Sequence, residues 1–278
     1  GIQTYITFRD QVIEIDRSNE LDRLQSDSEK ILILSGPGGV GKTSIIKNLY
    51  ENLKEKTPFY IFKATDFEIR NIQDLFRDVS LQEFIEAHID DKDKIIVIDS
   101  AEKLLDLKNT DSVKEFLTIL IQKNWKIIFT TRDNYLEDLN FQFFEIYKII
   151  PLNINIQNLG LSELEVISDQ YGFSLPKDGK LLDLIKNPFY LNEYLKFYKE
   201  DEQLDYTNFR RTLWNKIITK SKPSREQCFL KMAFERANKG QFFVTPDCET
   251  RILDNELKND GISGYESPSG YFITHDIY

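Results

Sequence analysis

The stretch Gly36-Pro37-Gly38-Gly39-Val40-Gly41-Lys42-Thr43-Ser44 holds the residue types that phosphate chemistry needs, at the spacing it needs them. Glycines allow consecutive backbone N–H groups to turn inward around a phosphate, and a helix N-terminus behind them adds the positive end of its dipole. Lys42 supplies a point charge for the terminal phosphates, and the Thr43 hydroxyl supplies an oxygen ligand for Mg²⁺. A merely flexible glycine loop does not explain Lys42-Thr43 at that distance from Gly36. Gly36 to Ser44 are therefore the candidate nucleotide contacts.

Three further residues are placed to act on the same phosphates. Asp99 closes the apolar run Ile95-Ile-Val-Ile98 and reads as the carboxylate that holds Mg²⁺ through water or beside Thr43, rather than as a simple helix cap. Glu102, three residues on, has two readings: it orients or deprotonates the attacking water, or it is a charge favouring a helix N-terminus. Its place after a strand favours the first. Arg132, closing Thr130-Thr131-Arg132, reads as a sensor of the γ-phosphate rather than a surface cation.

The elements that must position these residues follow from apolar periodicity. Residues 31–34, 57–63, 94–99, 125–129 and 144–150 are near-continuous apolar runs, the last closed by Pro151. Helical spacing lies between them, with a phosphate-loop helix to about Lys54, helices at 72–89 and 111–122, and a short early helix capped by Ser18. Strands of this kind alternating with helices predict a parallel sheet covered on both faces, whose ligands bind at the carboxyl ends of the strands. In the 72–89 helix, Leu75, Phe76, Val79, Phe84, Ile85 and Ile89 are the expected buried side. After Pro151 the pattern becomes helical to about residue 204. From about 205 it reads as three helices and a Gly/Pro/Ser-interrupted hairpin, a winged helix. The expected domains are thus 1–151, 152–204 and 205–278. The fold class is α/β, with a parallel-sheet P-loop domain, a small helical domain and a winged-helix domain.

Composition narrows the partners. The 278 residues carry a net charge of −10, which argues against a nucleic-acid surface. The expected third helix of the last domain, 247–260, is itself acidic, which suits internal packing better than DNA reading. No apolar run approaches the roughly 20 residues of a membrane span, and the first residues, Gly1-Ile2-Gln3-Thr4-Tyr5, lack the basic and apolar regions of a secretory signal. Cys228 and Cys248 fit no metal or redox spacing and are expected to be free thiols in a reducing cytoplasm. Without an initial Met, and ending at Tyr278 in what reads as mid-element, the chain is expected to be an excised fragment. His88 reads as an ordinary helix residue, Asn187-Pro188 as an N-cap followed by an N1 proline, and His275 as a hairpin or core histidine.

In this order the motifs resemble the STAND class of signal-transduction NTPases, the NACHT and NB-ARC relatives within the AAA+-like branch of P-loop proteins. Gly36–Thr43 is similar to their Walker A, Ile95–Asp99 to Walker B and Thr130–Arg132 to their T-T-R sensor. Asn187-Pro188-Phe189-Tyr190-Leu191 is similar to the G-x-P segment whose proline lies against adenine. Thr274-His275-Asp276 resembles the H-D motif whose histidine reaches the ADP β-phosphate. Ile15-Asp16-Arg17 resembles an apolar–Gly–Arg segment near adenine, which makes Arg17 a candidate contact. Asp16 and Asn187 stand where the family has Gly, and Asp99-Ser-Ala-Glu102 is not a double-acid Walker B, so slow hydrolysis is expected.

The resemblance implies an ATP/ADP switch, closed with ADP and opened by ATP for self-association. The activating ligand is unknown, the sensor and effector domains lie elsewhere, and a bacterial antiviral role is among those the resemblance suggests. The competing expectations are an origin-recognition type AAA+ ATPase that acts on DNA, and a nucleotide-binding scaffold without turnover.

Overall fold

The computed structural model describes residues 6–76, 78–200, 204–267 and 269–274. It divides into two units, Arg17–Pro37 with Lys42–Ile156, and Gly1–Asp16 with Gly38–Gly41 and Gln157–Tyr278. In chain order the elements are β1 (Ile6–Phe8), β2 (Gln11–Ile13), α1 (Ser18–Ser26), β3 (Ile31–Ser35), α2 (Lys42–Leu53), β4 (Phe59–Lys63), α3 (Leu81–Ala87) and β5 (Ile95–Asp99). There follow α4 (Asp111–Gln122), β6 (Lys126–Thr130), α5 (Leu136–Tyr147), β7 (Leu152–Asn155), α6 (Leu161–Tyr171), α7 (Gly179–Ile185), α8 (Pro188–Phe197), α9 (Tyr206–Trp214), α10 (Pro223–Lys239), β8 (Ser263–Glu266) and β9 (Gly270–Ile273). Among the described residues no helix is long and apolar enough to cross a membrane.

The unit containing β3 is a five-stranded sheet in the order β4-β5-β6-β3-β7, with every pairing parallel. All residues of β3 and β6 are buried, as are the first four of β5. This burial from both faces is why these strands read as unbroken apolar runs rather than alternating ones. Ile33, Ile96, Ile98 and Phe129 on the sheet pack with Phe67, Phe116, Leu120 and Trp125 into one core. Lys126, itself buried, sends its ammonium to the carbonyls of Leu24, Gln25 and Asp27, satisfying the open C-terminal end of α1.

Several local expectations are corrected. The run Phe144–Ile150 is not a strand. Residues 136–147 form α5, ended by Lys148 in the left-handed region (φ 56), and the fifth strand is Leu152–Asn155, beyond Pro151. The aromatic-rich stretch fits either period. The helix wins because Leu139 and Phe143, four apart, reach the core together, while Phe141, Phe144, Ile146 and Ile150 stay exposed.

The expected helix over 72–89 is two pieces, a 3₁₀ turn Ile72–Leu75 and α3. Ser80 stops continuity by forming a capping box with Glu83, and Val79 and Ile89, outside α3, are exposed rather than buried. α1 begins at Ser18 itself, with Arg17 at the cap position and no side-chain cap hydrogen bond. His88 is the C-cap of α3 and links Tyr60 Oη to Asp91 through its two ring nitrogens, both at 2.7 Å.

In the other unit the β1–β2 hairpin joins α6, α7, α8 and α9 in one core, where Phe8 meets Phe173 and Tyr198 edge-on. A second core gathers α10, the π-helical segment Leu253–Lys258, Ile262 and Ile273 of β9. Within it Arg225, fully buried, pairs with Asp260 at 2.7 Å and donates to the Ile218 carbonyl, which closes the π-helical turn after α9. The expected helix over 247–258 is π-helical for most of its described length, starting as an α-turn only at Thr250.

Cys228 and Cys248 are joined as a disulfide with Cα atoms 5.7 Å apart, which overturns the free-thiol expectation. Twenty residues separate them, and no local spacing announces a pairing that depends on the chain folding back along α10.

Candidate phosphate site at the strand ends

The sheet order places β6 between β3 and β5, so the phosphate loop, Asp99 and the Thr130-Thr131-Arg132 segment all leave the carboxyl ends of neighbouring strands. Gly36 follows directly on buried Ser35, and α2 begins at Lys42. Between them the backbone turns through positive φ at Gly39 (φ 78) and Gly41 (φ 105), conformations that glycine adopts at little cost and residues with a Cβ rarely do. Lys42 Nζ donates to the carbonyls of Gly36 at 2.6 Å and Pro37 at 2.9 Å. Its ammonium thus bridges the loop's own backbone.

Burial pushes the Lys42 pKa down to about 8; Glu102 opposes this, Arg132 adds to it, and Asp133 and Asp99 oppose it. Lys103, beside Glu102 in the chain, is also lowered to about 8, chiefly by burial.

Asp99 is held by its strand neighbour. The Thr130 hydroxyl donates to Asp99 Oδ1 at 2.6 Å and accepts from Ser100 N at 2.9 Å. Ser100 sits in the left-handed region (φ 60), so the chain turns sharply away after the carboxylate and leaves it at the strand end. Thr130 has no part in the sequence reading beyond its place in the triplet; a hydroxyl beside a strand-end carboxylate becomes visible only once β5 and β6 are paired.

Glu102 is 4 % exposed and faces Arg132, with Nε to Oε1 at 3.7 Å, while the Thr131 hydroxyl donates to its other oxygen at 3.3 Å. The two candidate residues are therefore partners of each other rather than two independent groups. Arg17 lies 3.8 Å from Glu20 in an ion pair one turn into α1. Thr43 is exposed in the first turn of α2.

Gly38–Gly41 fall in the same unit as α8. Asn187 is the N-cap of α8, accepting from Phe189 N at 3.0 Å, with Pro188 buried at the first helical position. Its amide does more than cap. Asn187 Nδ2 donates to the Gly38 carbonyl at 2.8 Å, and Phe189 N also reaches the Gly39 carbonyl at 3.2 Å. His275 lies outside the described residues.

The donor set suits a hard cation. Thr43 and Asp99 offer oxygen only, and no group of three or more His, Cys, Asp or Glu able to hold a metal occurs among the described residues.

Residues 28–138 match a family model described as an AAA domain. That segment, which holds the glycine loop and the strands β3 to β6, is similar to an AAA domain. No curated protein matches the chain. Among solved structures, the ORC2 protein of Aeropyrum pernix is 12% identical with a TM-score of 0.45, covering 91% of this chain and 86% of that one. DnaA from Aquifex aeolicus is 13% identical with a TM-score of 0.43 over 81% of this chain and 71% of that one. A RuvB variant of Thermotoga maritima is 14% identical, with a TM-score of 0.42 over 93% and 89%. Likenesses this distant decide nothing about what the chain acts on.

Proposed function

We propose that this chain is the ATP/ADP-binding switch module of a STAND-type signalling ATPase, closed with ADP and opened by ATP for self-association. The observation that carries the reading is the pair of hydrogen bonds from Asn187 and Phe189 to the carbonyls of Gly38 and Gly39. These are peptide units of the loop that must turn their N–H groups toward a phosphate. A helical segment that holds them from the carbonyl side makes the loop's conformation and that segment's position a single equilibrium. A ligand shifts such an equilibrium only by binding its two states differently.

Lys42 and the loop would hold the β- and γ-phosphates. Thr43 and Asp99 would hold Mg²⁺, which neutralises phosphate charge when bound. Arg132 would leave Glu102 for the γ-phosphate, and Glu102, released, would orient the attacking water. The pairing of partly buried Arg132 with buried Glu102 supports slow turnover, because each group must leave the other before it can act. Pro188, Arg17 and His275 are the proposed adenine-side and β-phosphate contacts. A DNA-acting ATPase is the weaker reading, since the segment Leu253–Lys258 carries two acids in its first turn against a single lysine in its last.

The test is the nucleotide content of the purified protein, released by denaturation and separated by chromatography. Stoichiometric ADP is the expected result. An empty site that turns ATP over readily would replace the switch with an ordinary exchanging ATPase.

Proton uptake gives an independent check. Free Lys42 titrates near pH 8, and phosphates beside it raise that value, so above this pH the complex holds more protons than the free protein. Triphosphate affinity should accordingly fall as pH rises above about 8, with net proton uptake on binding. Calorimetry in two buffers of different ionisation enthalpy reads this directly; binding free of any buffer dependence above that pH would contradict a direct Lys42–phosphate contact.

A further inference from the structure

The end of β7 carries a contact that none of the roles above uses. Asn155 Nδ2 donates to Ser35 Oγ at 2.9 Å and to Asp133 Oδ1 at 2.8 Å. Ser35 is fully buried and immediately precedes Gly36, while Asp133 immediately follows Arg132. One amide nitrogen therefore ties the root of the phosphate loop to the residue after the arginine. The backbone pairing around it stops just short of that point. Ile156 N donates to Ser35 O at 2.8 Å, and Thr131 N to Leu34 O at 3.1 Å. Past Thr131, side-chain contacts of the segment include Arg132 to Glu102 and Asp133 to Asn155.

We propose that Asn155 is a positioning residue that sets the separation of Arg132 from the phosphate loop, and through it the discrimination of a nucleoside triphosphate from a diphosphate. This rests on the ATP/ADP reading of the same site. The residue type fits the task. A primary amide nitrogen has two N–H donors, one for each acceptor, on a short neutral side chain. Aspartate at the position would lack both donors and set a like charge against Asp133.

Discrimination is affected rather than binding as a whole, because the backbone N–H groups of the loop and Lys42 act on phosphates that both nucleotides share. Arg132 acts only on the third. Displacing a charge-assisted hydrogen bond of about 2.8 Å by about an ångström takes it past hydrogen-bonding distance.

The experiment measures Mg²⁺-ADP and a non-hydrolysable Mg²⁺-ATP analogue on the full chain, in wild type, Asn155→Ala, Asn155→Asp, Asp133→Ala and Asp133→Asn, with melting temperatures alongside. ADP affinity should stay within about twofold of wild type, while the ratio of triphosphate to ADP affinity falls about tenfold in Asn155→Ala and further in Asn155→Asp. Asp133→Ala, at an exposed position, is read against Asp133→Asn, which also removes the charge near Lys42 but keeps an oxygen acceptor for the Asn155 amide. The loss in Asp133→Ala relative to Asp133→Asn should reproduce that of Asn155→Ala and stands as the test if the Asn155 variants fail to fold. An unchanged ratio in folded variants overturns the proposal, as does an equal loss for both nucleotides, which is what a merely structural role would produce. Wild type that discriminates beside variants that discriminate equally removes this proposal alone. Wild type that binds neither nucleotide removes the ATP/ADP reading and this proposal together.

Discussion

Lys42→Ala should abolish measurable triphosphate binding, lowering affinity by at least about 100-fold, the equivalent of roughly 2.7 kcal/mol or more. The substitution removes the one side-chain cation of the loop, and it removes it from a place where burial makes a charge count for more than it would in water. Stability should move the other way or hardly at all. A desolvated ammonium is costly to keep charged in the nucleotide-free protein, and what it holds there are the carbonyls of Gly36 and Pro37, which water can replace at the loop surface. Titration with a fluorescent ATP analogue, paired with a thermal melt, separates the two effects. Near-normal ATP affinity in a folded Lys42→Ala protein would sink the phosphate-cradle assignment, and with it the switch.

Phe116→Ala should cost about 3–5 kcal/mol of stability, a large share of the roughly 5–15 kcal/mol that a domain has. Phe116 is fully buried on α4, with ring centroids of Phe67 at 5.4 Å, Phe62 at 5.5 Å and Phe76 at 6.2 Å. Those partners come from β4 and the irregular segments after it, so collapse around the missing ring would need several elements to move at once. The cost should therefore fall toward the upper end of the range. Urea unfolding followed through Trp125, in a Trp214→Phe background so that one indole reports, measures the shift in midpoint. Trp125 belongs to the same core. A loss below about 1 kcal/mol would mean that this core repacks freely, which interiors at crystal-like density do not do.

The division between what was legible and what was not runs along the range of the interactions involved. Glycines that adopt φ values of 78 and 105, the lysine after them and the hydroxyl after the lysine stand within a few residues of one another. The hydrogen bonds that Asn187 and Phe189 make to this turn are not local, yet the local sequence marks the turn itself. The same holds for the apolar runs of β3, β5 and β6. Burial on both faces demands unbroken apolarity, and placing Asp99 and Arg132 after such runs sends them to the carboxyl edge of the sheet. Asn187-Pro188 spoke for its own helix start for the same reason, since a cap is satisfied within three residues.

Tertiary structure alone decided the choices that local preference left balanced. Residues 136–150 carry aromatic side chains at spacings compatible with either period. The helix was selected by which two of them, Leu139 and Phe143, could enter a core built by other segments. The cysteine pairing depended on α10 meeting a loop twenty residues on. Glu102 and Arg132 were each assigned a role from position alone, yet they became partners because β6 pairs with β5. Asn155 was invisible for a related reason. An asparagine at the end of an unremarkable strand has nothing to distinguish it until β7 docks on β3 and brings Ser35 and Asp133 within reach of one amide nitrogen. Local sequence determines which backbone shapes and charges exist. Which of them meet is set by the strand order, a property of the whole core that no single segment contains.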